Sequence, residues 1–216
     1  MPDFKAAIFD LDGTLLDSMG LWAQIDAEFL ARRGIEATED YIQAVTPLSF
    51  NDAAEYTIAR YGLDESSEGI IAEWNQMSRD AYRHRVQMKP DAKEYLLHLK
   101  GSGVKLGVAT ALAPDLFNPA LEHNGVLHLF DAFASLGEVK RGKGYPDIYL
   151  LASHRLGAAP AQCMVFEDIS AGIGGAKAGG FRTCGVYDPY SAYEWAEIQG
   201  MADMTVERYR DLLGVS

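Results

Sequence analysis

The chain has 216 residues and a formal charge of −12, with 48% hydrophobic and 23% charged residues. That balance belongs to a soluble globular protein, one large domain or a domain with a smaller companion, and the negative field argues against a nucleic-acid backbone as partner. A phosphorylated small molecule stays admissible if a lysine or a metal ion reverses the field in one pocket, and no apolar run approaches the ~18 residues of a membrane span.

Met1-Pro2-Asp3 lacks the basic start of a signal peptide, so a cytoplasmic protein is expected. "KAAIF" (5–9) reads as a short buried parallel strand. After Ser18 the texture becomes helical. Trp22, Ile25 and Phe29 recur at helix spacing up to a stop at Gly34, pieces follow near 38–46 and 50–61, and a longer one over 66–86 carries Ile70, Trp74, Met77 and Ala81 on one face. No strand is expected between 18 and 88. From Pro90 helices and strands alternate: a helix over 91–100, the strand "VKLGVAT" (104–110), a helix from Pro114, and the strand "AFAS" (132–135). A helix from Pro146 follows, then the strand "CMVFED" (163–168), a helix over 170–178, the strand "RTCGVY" (182–187), a weak strand at 203–206 and a final helix. This order predicts an α/β fold with a parallel sheet, interrupted after its first strand by an all-helical insertion. Cys163 and Cys184 lie in strand runs and read as buried reduced thiols.

Ligands of an open α/β sheet sit beyond the carboxyl ends of its strands. Those ends carry Asp10 and Asp12, Thr110, and Glu167-Asp168, with Lys143 in the loop after "AFAS". Each has an ordinary structural reading when taken alone: an acidic turn for "DLDGT", a strand-end threonine, a solvated lysine. A calcium loop is excluded, because Thr14 and Leu15-Leu16 supply no alternating ligands. "GEVKRGKG" (137–144) misses a P-loop, with Gly144 in place of the hydroxyl residue and Tyr145-Pro146 following at once. "GIGGAKAGG" breaks the dinucleotide register at Lys177, and the histidines at 84, 98, 123, 128 and 154 have no metal-ligand spacing.

Together, "FDLDGTLLDS", "VAT", "KGYPDIY" and "FEDISAGIGGAKAGG" resemble, in order and spacing, the four motifs of the haloacid dehalogenase superfamily. The helical insertion is similar to the cap of its phosphatase and β-phosphoglucomutase branch. The resemblance implies a Rossmann-like core of residues 1–17 and 89–216, helices on both faces of its sheet, and a helical cap of residues 18–88. It also implies Mg²⁺-dependent phosphoryl transfer through an aspartyl-phosphate. By position, Asp10 is the nucleophile and a metal ligand. Asp12 is general acid and base and lends its carbonyl to the metal, and Asp168 is a metal ligand with Glu167 beside it. Thr110 and Lys143 hold the transferring group, with Leu11, Asp12 and Ala111 as further phosphate contacts.

A cation at this site makes tolerable the repulsion of two carboxylates, which is about 4 kcal/mol at ~4 Å in an effective dielectric of ~20. Three departures stand out: Gly144 where relatives often have Pro, Ala111 where many have Ser or Asn, and "AVTPLSFND" (44–52), which lacks a common Gly-Arg pair. The expected activity is a phosphatase of small phosphorylated metabolites, monomeric, with a phosphosugar mutase as the alternative and a phospho-accepting signalling module as a remote one. An acid at Asp12 disfavours the dehalogenases, which lack one there. The cap is expected to rock about hinges at Leu16–Ser18 and Val86–Pro90. Its Trp22, Trp74, Arg79, Arg83 and Arg85 read as packing and solvated groups before they read as substrate contacts.

Overall fold

The computed structural model describes residues 3–46 and 48–214. Met1-Pro2 of the opening tripeptide, both ends of the expected core span, and Pro47 of the 44–52 segment lie outside them. The strands are β1 (Ala6–Phe9), β2 (Lys105–Thr110), β3 (Ala132–Ser135), β4 (Cys163–Glu167), β5 (Arg182–Val186) and β6 (Met204–Val206). They form one parallel sheet in the order β3-β2-β1-β4-β5-β6. β1 is central, paired on both edges, so its run of four buried residues reads as continuous rather than alternating.

The chain separates into two compact units, Met1–Met19 with Val86–Ser216, and Gly20–Arg85. The linkers at 16–19 and 86–89 belong to the sheet unit because they pair with each other. The Asp17 N–H donates to the Gln87 carbonyl at 3.0 Å, the Lys89 N–H donates to the Leu15 carbonyl at 2.8 Å, and Leu16 and Met88 form an antiparallel bridge.

The smaller unit holds α1 (Leu21–Ala31), α2 (Glu39–Val45), α3 (Phe50–Tyr61) and α4 (Ser67–His84). Ser49 and Ser66 cap α3 and α4, accepting the N–H groups of Asp52 and Gly69 at 3.2 and 3.1 Å. Ile25, Phe29, Ile70, Trp74, Met77 and Ala81 are all buried, as the period of 3.6 requires, and Phe29 meets Trp74 edge-on at 5.4 Å. Arg33 stacks over Phe29 at 3.6 Å and donates to Glu65 and Glu73, tying the end of α1 to α4. Of the side chains expected to be packing or solvated groups, Trp74 is buried, Trp22 lies half-exposed edge-on to Phe50, Arg79 donates to Gln76, and Arg85 pairs with Glu28.

In the larger unit α5 (Ala92–Gly101), α6 (Pro114–His123), α7 (Asp147–Leu156) and α8 (Ser170–Ala178) follow the sequence expectation. A further helix, α9 (Trp195–Met201), precedes β6 and α10 (Tyr209–Leu212). The sequence expects no helix at 195–201; the segment spans two turns and buries only Ile198, too little to register as a period. Side chains of β1 alternate between two apolar layers. Ala6 and Ile8 pack with Ala109, Val165, Ile148, Tyr149, Ala152 and Leu156. Phe9, on the other face, stacks on Phe166 at 4.4 Å, and Tyr95 of α5 lies edge-on to both. Both cysteines are buried and free of disulfides. Among the described residues no helix is long and apolar enough to cross a membrane.

Candidate active site at the carboxyl ends of β1 and β4

Strand periodicity decides where the acids point. Asp10 extends the row of Ala6 and Ile8, and Glu167 the row of Val165, so both emerge over the layer to which α7 contributes. β1 and β4 are in register, Phe9 opposite Phe166, and the Asp10 N–H continues the ladder to the Phe166 carbonyl at 3.0 Å. The two carboxylates therefore stand side by side. Asp168, one residue on, completes a buried trio: carboxylate oxygens of Asp10, Glu167 and Asp168 lie within 4.8 Å of one another.

Lys143 enters this trio from the loop between β3 and α7. Its ammonium pairs with Asp10 Oδ1 and with Glu167 Oε1, the latter at 2.7 Å, and it is nearly buried. Burial works against that charge, but the attraction of Asp10 and Glu167 outweighs it and holds the amine above its ordinary value. Burial pushes Glu167 up to about 8 despite the opposing pull of Lys143, and burial with the Asp10 charge pushes Asp168 up to about 7. With all three acids ionised, three carboxylates would face one lysine, an excess of negative charge that a divalent cation would balance.

The oxygens not yet engaged fit such an ion. Asp168 Oδ1 accepts from the Thr14 hydroxyl at 3.0 Å, whereas its buried Oδ2 has no hydrogen-bond partner. Glu167 Oε1 accepts from Lys143 and from the Tyr149 hydroxyl at 2.8 Å, whereas its buried Oε2 has none. Burial, then the Glu167 charge, drives the Tyr149 phenol far above its usual range, so it acts as a donor. Space is kept open beside both acids. Gly13 turns the chain at φ 76°, and a Cβ there would stand 2.3 Å from Asp168 Oδ2; one at Gly172 would stand 2.7 Å from Glu167 Oε2. Orphaned oxygens of this kind, all from carboxylates, suit a hard cation that takes one or two protein acids and keeps its remaining positions for water and phosphate.

The other expected residues take up neighbouring positions. Asp12 turns its carboxylate to Ser18, whose hydroxyl donates to Oδ1 at 2.5 Å. Thr110 is buried at the end of β2, beside β1, and its Oγ1 accepts the Leu112 N–H at 3.1 Å. Leu11 is buried, and its carbonyl gathers the N–H groups of Thr14, Leu15 and Leu16, while Ala111 is exposed beyond β2. Lys89, expected only as hinge, forms a buried ion pair with Asp188 at 2.8 Å and donates to the Tyr187 carbonyl at 2.7 Å. Sequence reasoning also passed over Thr14 and Tyr149. Tyr149 did leave a signal, because a tyrosine on a buried apolar helix stripe needs a partner for its hydroxyl.

A family model described as "Haloacid dehalogenase-like hydrolase" matches residues 7–186, which spans β1 to β5 and every residue of the acidic cluster. The chain belongs to the haloacid dehalogenase-like hydrolases. Among its relatives in this family is the validoxylamine A 7'-phosphate phosphatase of Streptomyces hygroscopicus subsp. limoneus, 30% identical over 207 residues, 95% of this chain and 97% of that protein. The fructose-1-phosphate phosphatase of Escherichia coli is 31% identical over 182 residues, 82% and 93% of the two chains. A solved structure from Thermotoga maritima, provisionally named a β-phosphoglucomutase, superposes with a TM-score of 0.85 over 97% of each chain at 24% identity, a likeness of fold. The parallel sheet with its helical insertion is therefore the haloacid dehalogenase-like architecture, and the acidic cluster lies beyond the carboxyl ends of the strands, where open α/β sheets in general bind ligands.

Proposed function

We propose that the chain is a Mg²⁺-dependent phosphatase of small phosphorylated metabolites, acting through an aspartyl-phosphate on Asp10. One observation carries the reading: Asp10, Glu167 and Asp168, brought together at the ends of two strands, cluster around a single lysine, and Glu167 and Asp168 each keep one orphaned oxygen. The names of the relatives support it, since one is a phosphatase of validoxylamine A 7'-phosphate and the other of fructose 1-phosphate.

Held by Asp10, Glu167, Asp168 and the Asp12 carbonyl, Mg²⁺ would supply positive charge to the oxygens of the transferring phosphoryl group. The protein does the rest. The Asp10 carboxylate attacks phosphorus as the bond to the substrate oxygen breaks, and Asp12 gives that oxygen its proton. Lys143 moves its charge from Asp10 to the phosphoryl oxygens, and Thr110 donates to them. Asp12, now a carboxylate, takes a proton from water as the water attacks phosphorus and releases Asp10. Ser18 holds the Asp12 side chain for both transfers.

A panel of sugar and polyol phosphates assayed with Mg²⁺ tests the reading, scoring released phosphate and isomerised product together. Asp10→Asn should lower turnover by at least about 10⁴-fold. Phosphate release that survives this substitution would refute the mechanism, and isomerisation outrunning release would move the chain to the mutases.

A further inference from the structure

We propose that Tyr149 is a positioning residue that fixes the Glu167 carboxylate so that Oε2, and not Oε1, faces the metal. The inference rests on the metal-centre reading given above. Tyr149 is fully buried on α7, in a stripe with Ile148, Ala152 and Leu156 that packs under the sheet. Phenylalanine would fill that stripe equally well, so the hydroxyl is the part that calls for explanation.

That hydroxyl meets Glu167 Oε1 at 2.8 Å, on the oxygen that Lys143 already contacts at 2.7 Å, and leaves Oε2 without a partner. Rotating the carboxylate would break both bonds at once. Gly172 of α8 stands against the same group: a Cβ there would lie 2.5 Å from Glu167 Cδ. Thus α7 and the Lys143 loop bond this carboxylate while α8 packs its glycine against it.

Lys143 cannot hold Glu167 alone. Its ammonium is shared with Asp10, and in the proposed reaction it must turn toward the phosphoryl group. Tyr149, on a rigid helix, is the donor that stays on Oε1 when the lysine moves. Groups that orient metal ligands in this way commonly change metal affinity by 10–100-fold when removed.

The test is Mg²⁺ titration calorimetry on the metal-free full-length protein, with no substrate present. Tyr149→Phe should weaken Mg²⁺ binding by at least about tenfold. In a Glu167→Gln background the same substitution should cost nothing further, because Tyr149 acts only through that carboxylate. If Tyr149→Phe is less stable without metal, the Mg²⁺-induced rise in Tm gives the same comparison and should shrink relative to wild type. Equal Mg²⁺ affinity in wild type and Tyr149→Phe, or an equal loss in both backgrounds, overturns the role of Tyr149. Wild-type protein that takes up no Mg²⁺ overturns the metal-centre reading itself, and the inference falls with it.

Discussion

Replacing Gly175 by alanine separates what the site needs from what the helix prefers. Gly175 lies in α8, and a Cβ built there would stand 1.9 Å from the Lys143 carbonyl oxygen and 3.0 Å from the backbone of Gly144 and Tyr145. These are main-chain atoms, so no side-chain rotation relieves the clash. The loop carrying Lys143 must retreat by at least ~1 Å, and overpacking of this kind costs about 1–3 kcal/mol. Removing a glycine from a helix interior returns roughly 1 kcal/mol. The net loss of stability is then only about 1 kcal/mol, whereas a ~1 Å displacement of a positioned group can cost 10²-fold in rate. The retreat would stretch the Lys143–Glu167 pair well beyond its 2.7 Å. Gly174→Ala, one position earlier, is the control: its Cβ meets only the mobile end of Met201, at 3.3 Å. Urea melts and phosphate-release rates on both variants decide the matter. Gly175→Ala should lose about 10²-fold in kcat with a small stability change, and Gly174→Ala should keep wild-type kcat and gain slightly in stability. Equal kcat for the two variants would refute the claim that α8 sets the height of Lys143.

Two further outcomes follow from charges outside the acidic cluster. Lys89→Met leaves Asp188 buried without its cation and should destabilise the fold by about 3 kcal/mol in thermal melts, with Lys89→Met/Asp188→Asn recovering part of the loss; a Tm equal to wild type for the single variant would count against the pair. Burial raises half-buried Asp26 of α1 to about 6 in the folded state, above its unfolded value of 3.8. Folding therefore takes up a proton between these values, and stability falls as pH rises from about 4 to 6. Asp26→Asn should remove roughly 1 kcal/mol of that pH dependence, a figure reduced from the full shift because the side chain keeps some solvent. Parallel stability–pH curves for the two proteins, followed by tryptophan fluorescence, would contradict it.

How much of this was legible in the sequence depends on how far apart the partners lie. The strands announced themselves because a buried parallel sheet needs continuous apolar runs, and "KAAIF" and "CMVFE" are such runs. Their ends then singled out Asp10, Glu167 and Asp168, since an acid that terminates an apolar strand has few structural reasons to be there. Lys143 was found through its neighbours in "KGYPDIY", not through any local property of the lysine. Thr14, Tyr149 and Lys89 went unread because their meaning lies in contacts made across the fold. The Thr14–Asp168 bond spans 154 positions and Lys89 reaches the Tyr187 carbonyl across 98. Tyr149 signals only that its buried hydroxyl needs a partner, and that the partner is Glu167 emerges only in the fold. Helix α9 failed for a different reason, with a single buried residue in seven.

The glycines of "SAGIGGAKAGG" join the local and the distant parts of this problem. As a sequence they say only that a helix packs closely on a sheet. In the fold the three interior ones have separate tasks: Gly172 makes room for the Glu167 carboxylate, Gly174 faces a yielding methionine, and Gly175 seats the carbonyl of Lys143. Two of them therefore set the distance between a lysine and an acid that the chain separates by 24 residues. Helix propensity favours alanine at each of the three. The residues that violate that preference at 172 and 175 mark where the helix gives up stability to bring charges together, which is where a functional site is expected to depart from local rules.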